Sequence, residues 1–277
     1  MQLHDQTQAA TPELCEWIAA QARAGCMADD ILKAMHASGW EDAVARAALA
    51  QMLPPADAAW PAPGPDLSGS PSVLQLPDRQ VPVLLRLQRP RLALFGGFLS
   101  DDECDALVAL SRPRLARSQT VDHHSGGSEV NAARTSDGMF FERGEVPLVQ
   151  RIEQRIAALL RWPQERGEGL QVLRYAPGAQ YRPHFDYFDP AHPGAAAVLK
   201  QGGQRVGTLL IYLQVPRRGG ATVFPDVGLE VAPVMGHALF FGYDRPHEST
   251  ATLHGGAPVI EGEKWVATKW LRQGEFG

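Results

Sequence analysis

Two side chains that can bind metal ions stand two positions apart in the second half of the chain. They are His184 and Asp186, in the segment YRPHFDYF. Residues at positions i and i+2 of a β-strand project from the same face, so this pair is predicted to bind one ion together. The pair alone is weak evidence, because so short a motif also arises by chance and its histidine can be an ordinary surface or core residue.

A third ligand would have to come from another strand. His254, in ATLHGGAPV, is the candidate, and His247, seven residues earlier, is the alternative. His123 and His124 stand in a Gly/Ser-rich loop and are predicted to be solvated, whereas His237 precedes a strand and is predicted to be structural. Two histidines and one carboxylate leave half of an octahedron open, as non-haem Fe(II) oxygenases require. The residue types therefore predict iron.

A lysine in the same C-terminal region strengthens this interpretation. Lys264 follows His254 by ten residues in LHGGAPVIEGEKWVATKWL, and the neighbouring tryptophans predict a buried strand. A buried ammonium group needs an anionic partner to offset the cost of removing its charge from water. A dicarboxylate co-substrate would supply that partner.

From about residue 94 to residue 271 the chain resembles the prolyl 4-hydroxylase family, the catalytic domains of collagen-type and related plant and microbial enzymes. The segments that carry the resemblance are RTSDG, QVLRYAPGAQYRPHFDYF, GGQRVGTLLIYL, GGATVFP, HALFFGY and PVIEGEKWVATKWL. The resemblance implies that His184, Asp186 and His254 bind iron. It also implies that Lys264 pairs with the distal carboxylate of 2-oxoglutarate.

The resemblance assigns roles to further residues. Its ten-residue step from the distal histidine to the lysine favours His254 over His247. Positions that contact or line the 2-oxoglutarate pocket in the family are matched by Thr222, Tyr181 and Trp270. Positions near the peptide groove are matched by Arg205, Arg134 and Ser136, and Tyr187 beside the metal strand is a further candidate for substrate contact. The alternative for these last four residues is a structural ion pair, a surface cap or packing.

The resemblance also implies the reaction, which is hydroxylation of C4 of proline in a peptide or protein. Fe(II), 2-oxoglutarate and O2 are the implied cofactor and co-substrates, succinate and CO2 the co-products, and ascorbate the reductant. A lysine rather than an arginine after the distal histidine favours the protein hydroxylases over the nucleic-acid demethylases of the superfamily. Hydroxylation of lysine or of a free amino acid, and a non-catalytic peptide-binding module, are the alternatives.

The chain departs from the resembled pattern at two places. Arg217 and Arg218 precede GGAT where relatives often have acidic residues, and Arg272 follows the leucine of KWL where several relatives have a histidine. The preferred peptide is therefore expected to differ.

Composition excludes several classes of protein. The 277 residues carry a net charge of −5 without a long basic run, so nucleic acid is not an expected partner. No apolar run is long enough to span a membrane, and the N-terminus lacks the basic and apolar parts of a secretory signal, so a cytoplasmic location is predicted. Cys15, Cys26 and Cys104 are scattered and are predicted to be free thiols.

The N-terminal part is predicted to be a separate helical module. Helix start and stop signals indicate three short helices in residues 1–54, with Trp17, Ile18, Leu32 and Met35 forming their core. A Pro/Gly-rich linker follows in residues 55–75, and the dioxygenase domain occupies residues 76–277. The module is predicted either to dock a partner or to stabilise the enzyme.

The dioxygenase domain is predicted to have an α+β fold. The short apolar runs QVLRY, GTLLIYL, ATVF, HALFFGY and KWVATKWL, separated by turn residues, indicate an antiparallel sandwich or barrel. With the resemblance, this predicts a double-stranded β-helix (jelly roll) with supporting helices. Ser100 and Glu103 form a capping box before one helix, and residues 146–160 form another. The segment at 119–136 is predicted to be either a mobile lid or an inert loop.

Overall fold

The computed structural model describes residues 8, 10–23, 26, 28–52, 62–118, 120–121, 127–129 and 133–277. The chain divides into two compact units. The larger unit is formed by residues 61–246 and 250–277, and the smaller one contains the three N-terminal helices. Half of the segment predicted to be a lid, including residues 122–126 and 130–132, lies outside the described residues. None of the helices in the described ranges combines the length and the apolar character that a membrane crossing requires.

The N-terminal module contains three helices, as predicted: α1 (Pro12–Arg23), α2 (Ala28–Ala37) and α3 (Asp42–Met52). Their buried apolar residues are Leu14, Ile18, Ile31, Met35, Ala45, Ala48 and Leu49. The prediction that Trp17 lies in this core is wrong, because its side chain is 37% exposed. Leu14 and Ile18, four residues apart, form the centre of the buried stripe on α1, and Trp17 lies at its margin.

Among the described residues, the larger unit contains three more α-helices and every strand. The helices are α4 (Asp101–Ser111), α5 (Pro147–Leu160) and α6 (Ala195–Leu199). The strands are β1 (Val73–Gln75), β2 (Gln80–Leu87), β3 (Arg91–Phe95), β4 (Ala116–Arg117), β5 (Thr120–Val121), β6 (Ser128–Glu129), β7 (Asp137–Phe141), β8 (Leu170–Tyr175), β9 (Tyr181–His184), β10 (Arg205–Gln214), β11 (Arg218–Gly219), β12 (Thr222–Phe224), β13 (Leu229–Val231), β14 (Ala238–Gly242), β15 (His254–Gly256), β16 (Val259–Glu261) and β17 (Lys264–Arg272).

Two antiparallel sheets form the body of this unit. The major sheet has the strand order β1-β2-β3-β14-β10-β17-β8-β7-β4, and the minor sheet has the order β13-β12-β15-β9. Tyr212 and Phe241 of the major sheet share one apolar cluster with Phe224 and Val231 of the minor sheet. This sheet-on-sheet packing with supporting helices confirms the predicted α+β jelly-roll class. The predicted domain boundaries stay a prediction, although β1 falls inside the segment predicted to be the linker.

Helices cover the other face of the major sheet. Leu107 of α4 and Ile152 of α5 belong to the same apolar cluster as Trp265 and Ala267 of β17. The predicted capping box starts α4: the Ser100 hydroxyl accepts from the backbone N–H of Glu103, and the Glu103 carboxylate accepts from that of Ser100. The helices thus bury one face of β17, and its other face lines the space between the two sheets.

Candidate metal centre and co-substrate pocket

Strand pairing in the minor sheet brings two of the predicted metal ligands together. His184 is the last residue of β9 and His254 is the first residue of β15, and the two are direct partners in the antiparallel ladder. Their ring centroids are 4.4 Å apart. Asp186 does not share the strand with His184, as the i, i+2 argument assumed, because β9 ends at His184. Ligand atoms of all three residues nevertheless lie within 4.8 Å of one another.

Backbone carbonyls orient both imidazole rings. Nδ1 of His184 lies 3.0 Å from the carbonyl oxygen of Arg182, and Nδ1 of His254 lies 2.9 Å from that of Thr252. A carbonyl oxygen only accepts, so each Nδ1 carries a proton, and in the neutral tautomer this leaves the lone pair on Nε2. These Nε2 atoms lie 3.5 and 3.6 Å from the carboxylate oxygens of Asp186. Three electron-pair donors thus converge, and a cation between them would satisfy all three.

The protonation states suit metal binding. Burial alone would raise the pKa of Asp186, but the basic side chains around it hold it well below its usual value, so the side chain is a carboxylate. Burial lowers the pKa of His254 to about 4, which keeps its ring neutral at physiological pH. Two imidazoles and one carboxylate fit the facial ligand set of Fe(II) oxygenases. In the described part of the chain no other group of three such residues comes together, and His247 is not part of this one.

A pocket extends from these three residues along the inner face of β17. Alternation along this strand places Lys264, Val266, Thr268 and Trp270 in the pocket lining. Lys264 is only 3% exposed, and its ammonium lies 5.8 and 5.7 Å from the ring centroids of Tyr175 and Tyr212. Burial lowers its pKa to about 8, and no carboxylate among the described residues counteracts this shift. The pocket therefore contains a buried cation that an anionic ligand would stabilise.

Two further donors belong to the same pocket. The Thr222 hydroxyl accepts a 2.9 Å hydrogen bond from the Tyr212 hydroxyl, which leaves its own hydrogen for another acceptor. The indole N–H of Trp270 is buried and has no acceptor among the residues described. Tyr181 also lines the pocket and stacks on His184, with ring centroids 3.7 Å apart. An ammonium, a hydroxyl and an indole N–H together suit a carboxylate-bearing ligand.

The predicted substrate residues occupy different environments. Arg205 forms a two-pronged ion pair with Glu168, at 2.6 and 2.9 Å, and its guanidinium lies 3.9 Å from the ring centroid of Trp270. Arg134 lines the pocket, donates a 2.8 Å hydrogen bond to Gln171 and lies over the ring of Tyr181. Of these two arginines, Arg134 lines the pocket itself, whereas Arg205 supports a residue of its wall.

Ser136 and Tyr187, the other two predicted substrate contacts, lie outside the lining of the pocket. Ser136 is fully buried, and its hydroxyl donates a 3.0 Å hydrogen bond to that of Ser118. Tyr187 is half-buried and stacks on Phe185, with ring centroids 4.8 Å apart. Neither residue is among the lining of the pocket around Lys264. Their roles in substrate contact stay predictions.

Several residues of the site escaped sequence reasoning. Thr208 donates a 2.7 Å hydrogen bond to the Asp186 carboxylate, and the Tyr243 hydroxyl lies 3.0 Å from the Thr208 oxygen. Glu168 holds both Arg205 and Arg272. Only Thr208 had a usable signal, because alternation along GTLLIYL places it on the face shared with Tyr212. The other partners depend on contacts between distant segments.

Comparison with known proteins agrees with this geometry. The family model described as the 2OG-Fe(II) oxygenase superfamily matches residues 170–272. A probable prolyl 4-hydroxylase 3 of Arabidopsis thaliana is 40% identical over 208 residues, covering 68% of this chain and 71% of the relative. Prolyl 4-hydroxylase 2 of the same plant is 39% identical over 212 residues, covering 68% and 69%. The chain belongs to the prolyl 4-hydroxylase family.

A solved structure in this family has the same fold. The viral collagen prolyl hydroxylase of Paramecium Bursaria Chlorella virus-1, in complex with 2OG, superposes with a TM-score of 0.51 at 30% identity. The match covers 65% of this chain and 95% of the viral chain. The protein is therefore an enzyme of the 2-oxoglutarate- and Fe(II)-dependent oxygenases, with O2 as the second co-substrate, and these predictions are confirmed.

Proposed function

We propose that this enzyme hydroxylates C4 of proline residues in a peptide or protein, with succinate and CO2 as co-products. The single observation that carries the proposal is the pairing of two features in one pocket. One is the convergent donor set of His184, Asp186 and His254. The other is the buried ammonium of Lys264, which lacks a carboxylate partner among the described residues. The family's named relatives support proline as the target.

His184, Asp186 and His254 would hold the iron. When bound, Fe(II) with 2-oxoglutarate and O2 supplies the oxidation of a C–H bond. The protein orients both imidazoles through the carbonyls of Arg182 and Thr252 and keeps the carboxylate ionised. Three protein ligands leave the positions that the co-substrates need.

Lys264 and Thr222 would bind the distal carboxylate of 2-oxoglutarate. A charge-assisted bond from the ammonium would offset the cost of burying it, and the Thr222 hydroxyl still has a hydrogen to donate. Tyr181 and the indole N–H of Trp270 would complete the pocket wall. The donors all lie in a largely buried site, where electrostatic interactions are stronger than in water.

Of the predicted substrate contacts, Arg134 has the position that fits best, because it lines the pocket while its guanidinium is held by Gln171 and Tyr181. Arg205, Ser136 and Tyr187 remain candidates for substrate contact. Ascorbate as the reductant, a cytoplasmic location and a docking role for the N-terminal module belong to the proposal as well.

The proposal is tested by comparing substrates. The full-length enzyme with Fe(II) and 2-oxoglutarate is incubated with a proline-rich peptide, with the same peptide carrying alanine in place of proline, and with free proline or lysine. Mass spectrometry should find one added oxygen only in the proline peptide, with an equal amount of succinate. Oxygen added to free proline, to lysine or to the alanine peptide instead would refute peptidyl-proline specificity.

A further inference from the structure

The three proposed metal ligands are not held in the same way. His184 and His254 are partners in the ladder between β9 and β15, so the sheet fixes both. Asp186 lies beyond the end of β9, where no ladder holds it. A metal ligand on irregular backbone needs other restraints, since small displacements weaken coordination. In this protein those restraints come from β10.

Thr208 of β10 restrains the carboxylate itself. Its hydroxyl lies 2.7 Å from Oδ2 of Asp186, and both side chains are almost fully buried. A carboxylate can only accept, so Thr208 uses its one hydrogen in this bond. Tyr243, whose hydroxyl lies 3.0 Å from the Thr208 oxygen, must therefore donate to it. The result is a directed chain of hydrogen bonds from Tyr243 through Thr208 to Asp186.

The strand that carries Thr208 is rigidly placed. β10 lies between β14 and β17, and Thr208 itself is the ladder partner of Phe241 on one side and Trp270 on the other. Threonine is β-branched, so few side-chain rotamers are open to it. Arg205, three residues earlier, also lies within 3.3 Å of the backbone carbonyl oxygen of Asp186. β10 thus holds both the main chain and the side chain of this ligand.

The hydrogen bond also distinguishes the two carboxylate oxygens. Oδ2 accepts from Thr208 and lies 3.6 Å from Nε2 of His254, whereas Oδ1 lies 3.5 Å from Nε2 of His184. Because Thr208 engages a lone pair of Oδ2 alone, Oδ1 has more lone-pair capacity for an ion. A carboxylate that used both oxygens would occupy a further coordination position, one of those that 2-oxoglutarate and O2 require.

We propose that Thr208 is a positioning residue that holds Asp186 as a one-oxygen ligand, and that Tyr243 orients the Thr208 hydroxyl for this purpose. The inference rests on the proposed iron site. Its consequence is that the hydroxyl of Thr208 contributes to metal affinity and to the geometry of coordination without touching the ion. Partners of this kind typically change metal affinity by about 10- to 100-fold when they are removed.

The test is a titration of the metal-free, full-length protein with Co(II), followed by visible absorption. Thr208→Val, which removes the hydroxyl at nearly constant shape, should bind Co(II) about 10- to 100-fold more weakly and with an altered spectrum. Thr208→Ser should restore both. Tyr243→Phe should weaken binding less than Thr208→Val does. Ser111→Ala is the control for loss of a buried hydroxyl and should leave Co(II) affinity and spectrum unchanged, because Ser111 is fully buried at the end of α4, where its hydroxyl donates to the Leu107 carbonyl and does not line the pocket.

The outcomes separate this inference from the proposed function. Wild-type affinity and spectrum in Thr208→Val would overturn the inference and leave the metal site intact. Equal weakening in Thr208→Ser and Thr208→Val would also overturn it, because packing rather than the hydroxyl would then be responsible. If Thr208→Val does not fold, an unchanged spectrum and affinity in Tyr243→Phe has the same meaning. Failure of the wild-type protein to bind Co(II) more tightly than Asp186→Ala would instead contradict the metal site itself.

Discussion

Lys264 and Lys269 are both buried on β17, yet their side chains lie in opposite layers of the protein. Lys269 forms an ion pair with the buried carboxylate of Glu153 on α5. Lys264 lines the pocket between the sheets, where no carboxylate of the described residues pairs with it. Lys269 thus has its counter-ion within the fold, whereas Lys264 is positioned to pair with the carboxylate of a ligand.

The two lysines should therefore respond differently to the same substitution. Lys264→Met should raise the KM for 2-oxoglutarate by about 10- to 100-fold, since a hydrogen bond to a charged group contributes about 1.5–3 kcal/mol. Its affinity for Co(II) should stay close to that of the wild type. Steady-state kinetics and calorimetric titration measure both quantities. Unchanged affinity for 2-oxoglutarate would reassign Lys264 to a structural role.

Lys269→Met is the control for this experiment. It should leave the KM for 2-oxoglutarate nearly unchanged but reduce the free energy of unfolding by about 3–5 kcal/mol, because Glu153 would remain buried without its partner. Thermal or denaturant unfolding measures that loss. If Lys269→Met instead raised KM as much as Lys264→Met, the assignment of the two faces of β17 would be wrong.

The affinity for 2-oxoglutarate should depend on pH. Burial lowers the pKa of Lys264 from 10.5 to about 8, so its amine is charged below that pH and neutral above it. A carboxylate ligand needs the charged form. Well below pH 8, where Lys264 stays fully charged, its titration should not change the affinity. Above pH 8 the affinity should fall by up to about tenfold per pH unit. Binding to Lys264→Met, measured by calorimetry across this range, should lack that decline.

The alternative distal ligand can be tested directly. His254→Ala should abolish turnover and weaken Co(II) binding, because it removes one of three converging donors. His247→Ala should leave metal binding unchanged, since His247 is not part of that group and its Nδ1 accepts from the backbone N–H of Ser249. The reverse result, with His247→Ala as the inactive variant, would transfer the ligand role to His247.

Local patterns predicted much of the site and long-range pairing determined the rest. The tryptophans beside Lys264 were enough to predict that it lies on a buried strand, and the capping box at Ser100 marked the start of α4, whereas Trp270 was assigned to the pocket only through the family resemblance. The bond between Thr208 and Asp186 could not be predicted, because it joins β10 to an irregular segment after β9. The orientation of Arg205 was equally inaccessible, since it depends on Glu168 in a distant loop.

The N-terminal module is predicted to add affinity for an intact protein substrate through docking. Removal of residues 1–60 should leave hydroxylation of a short peptide nearly unchanged and slow that of the physiological protein. The cut is better made after residue 60 than after residue 70. Gly64 belongs to the larger unit, where its backbone N–H donates a 2.8 Å hydrogen bond to the Leu160 carbonyl. Equal loss of activity on both substrates would refute docking.

The central claim is oxidation of C4 of a peptidyl proline, and isotope labelling tests it most directly. A proline-rich peptide with both C4 hydrogens replaced by deuterium is incubated with enzyme, Fe(II), 2-oxoglutarate and O2, and the product is analysed by mass spectrometry. The account predicts one added oxygen, the loss of one deuterium and one succinate for each hydroxylated residue. An added oxygen with both deuterium atoms retained would place the reaction at another carbon and contradict the claim.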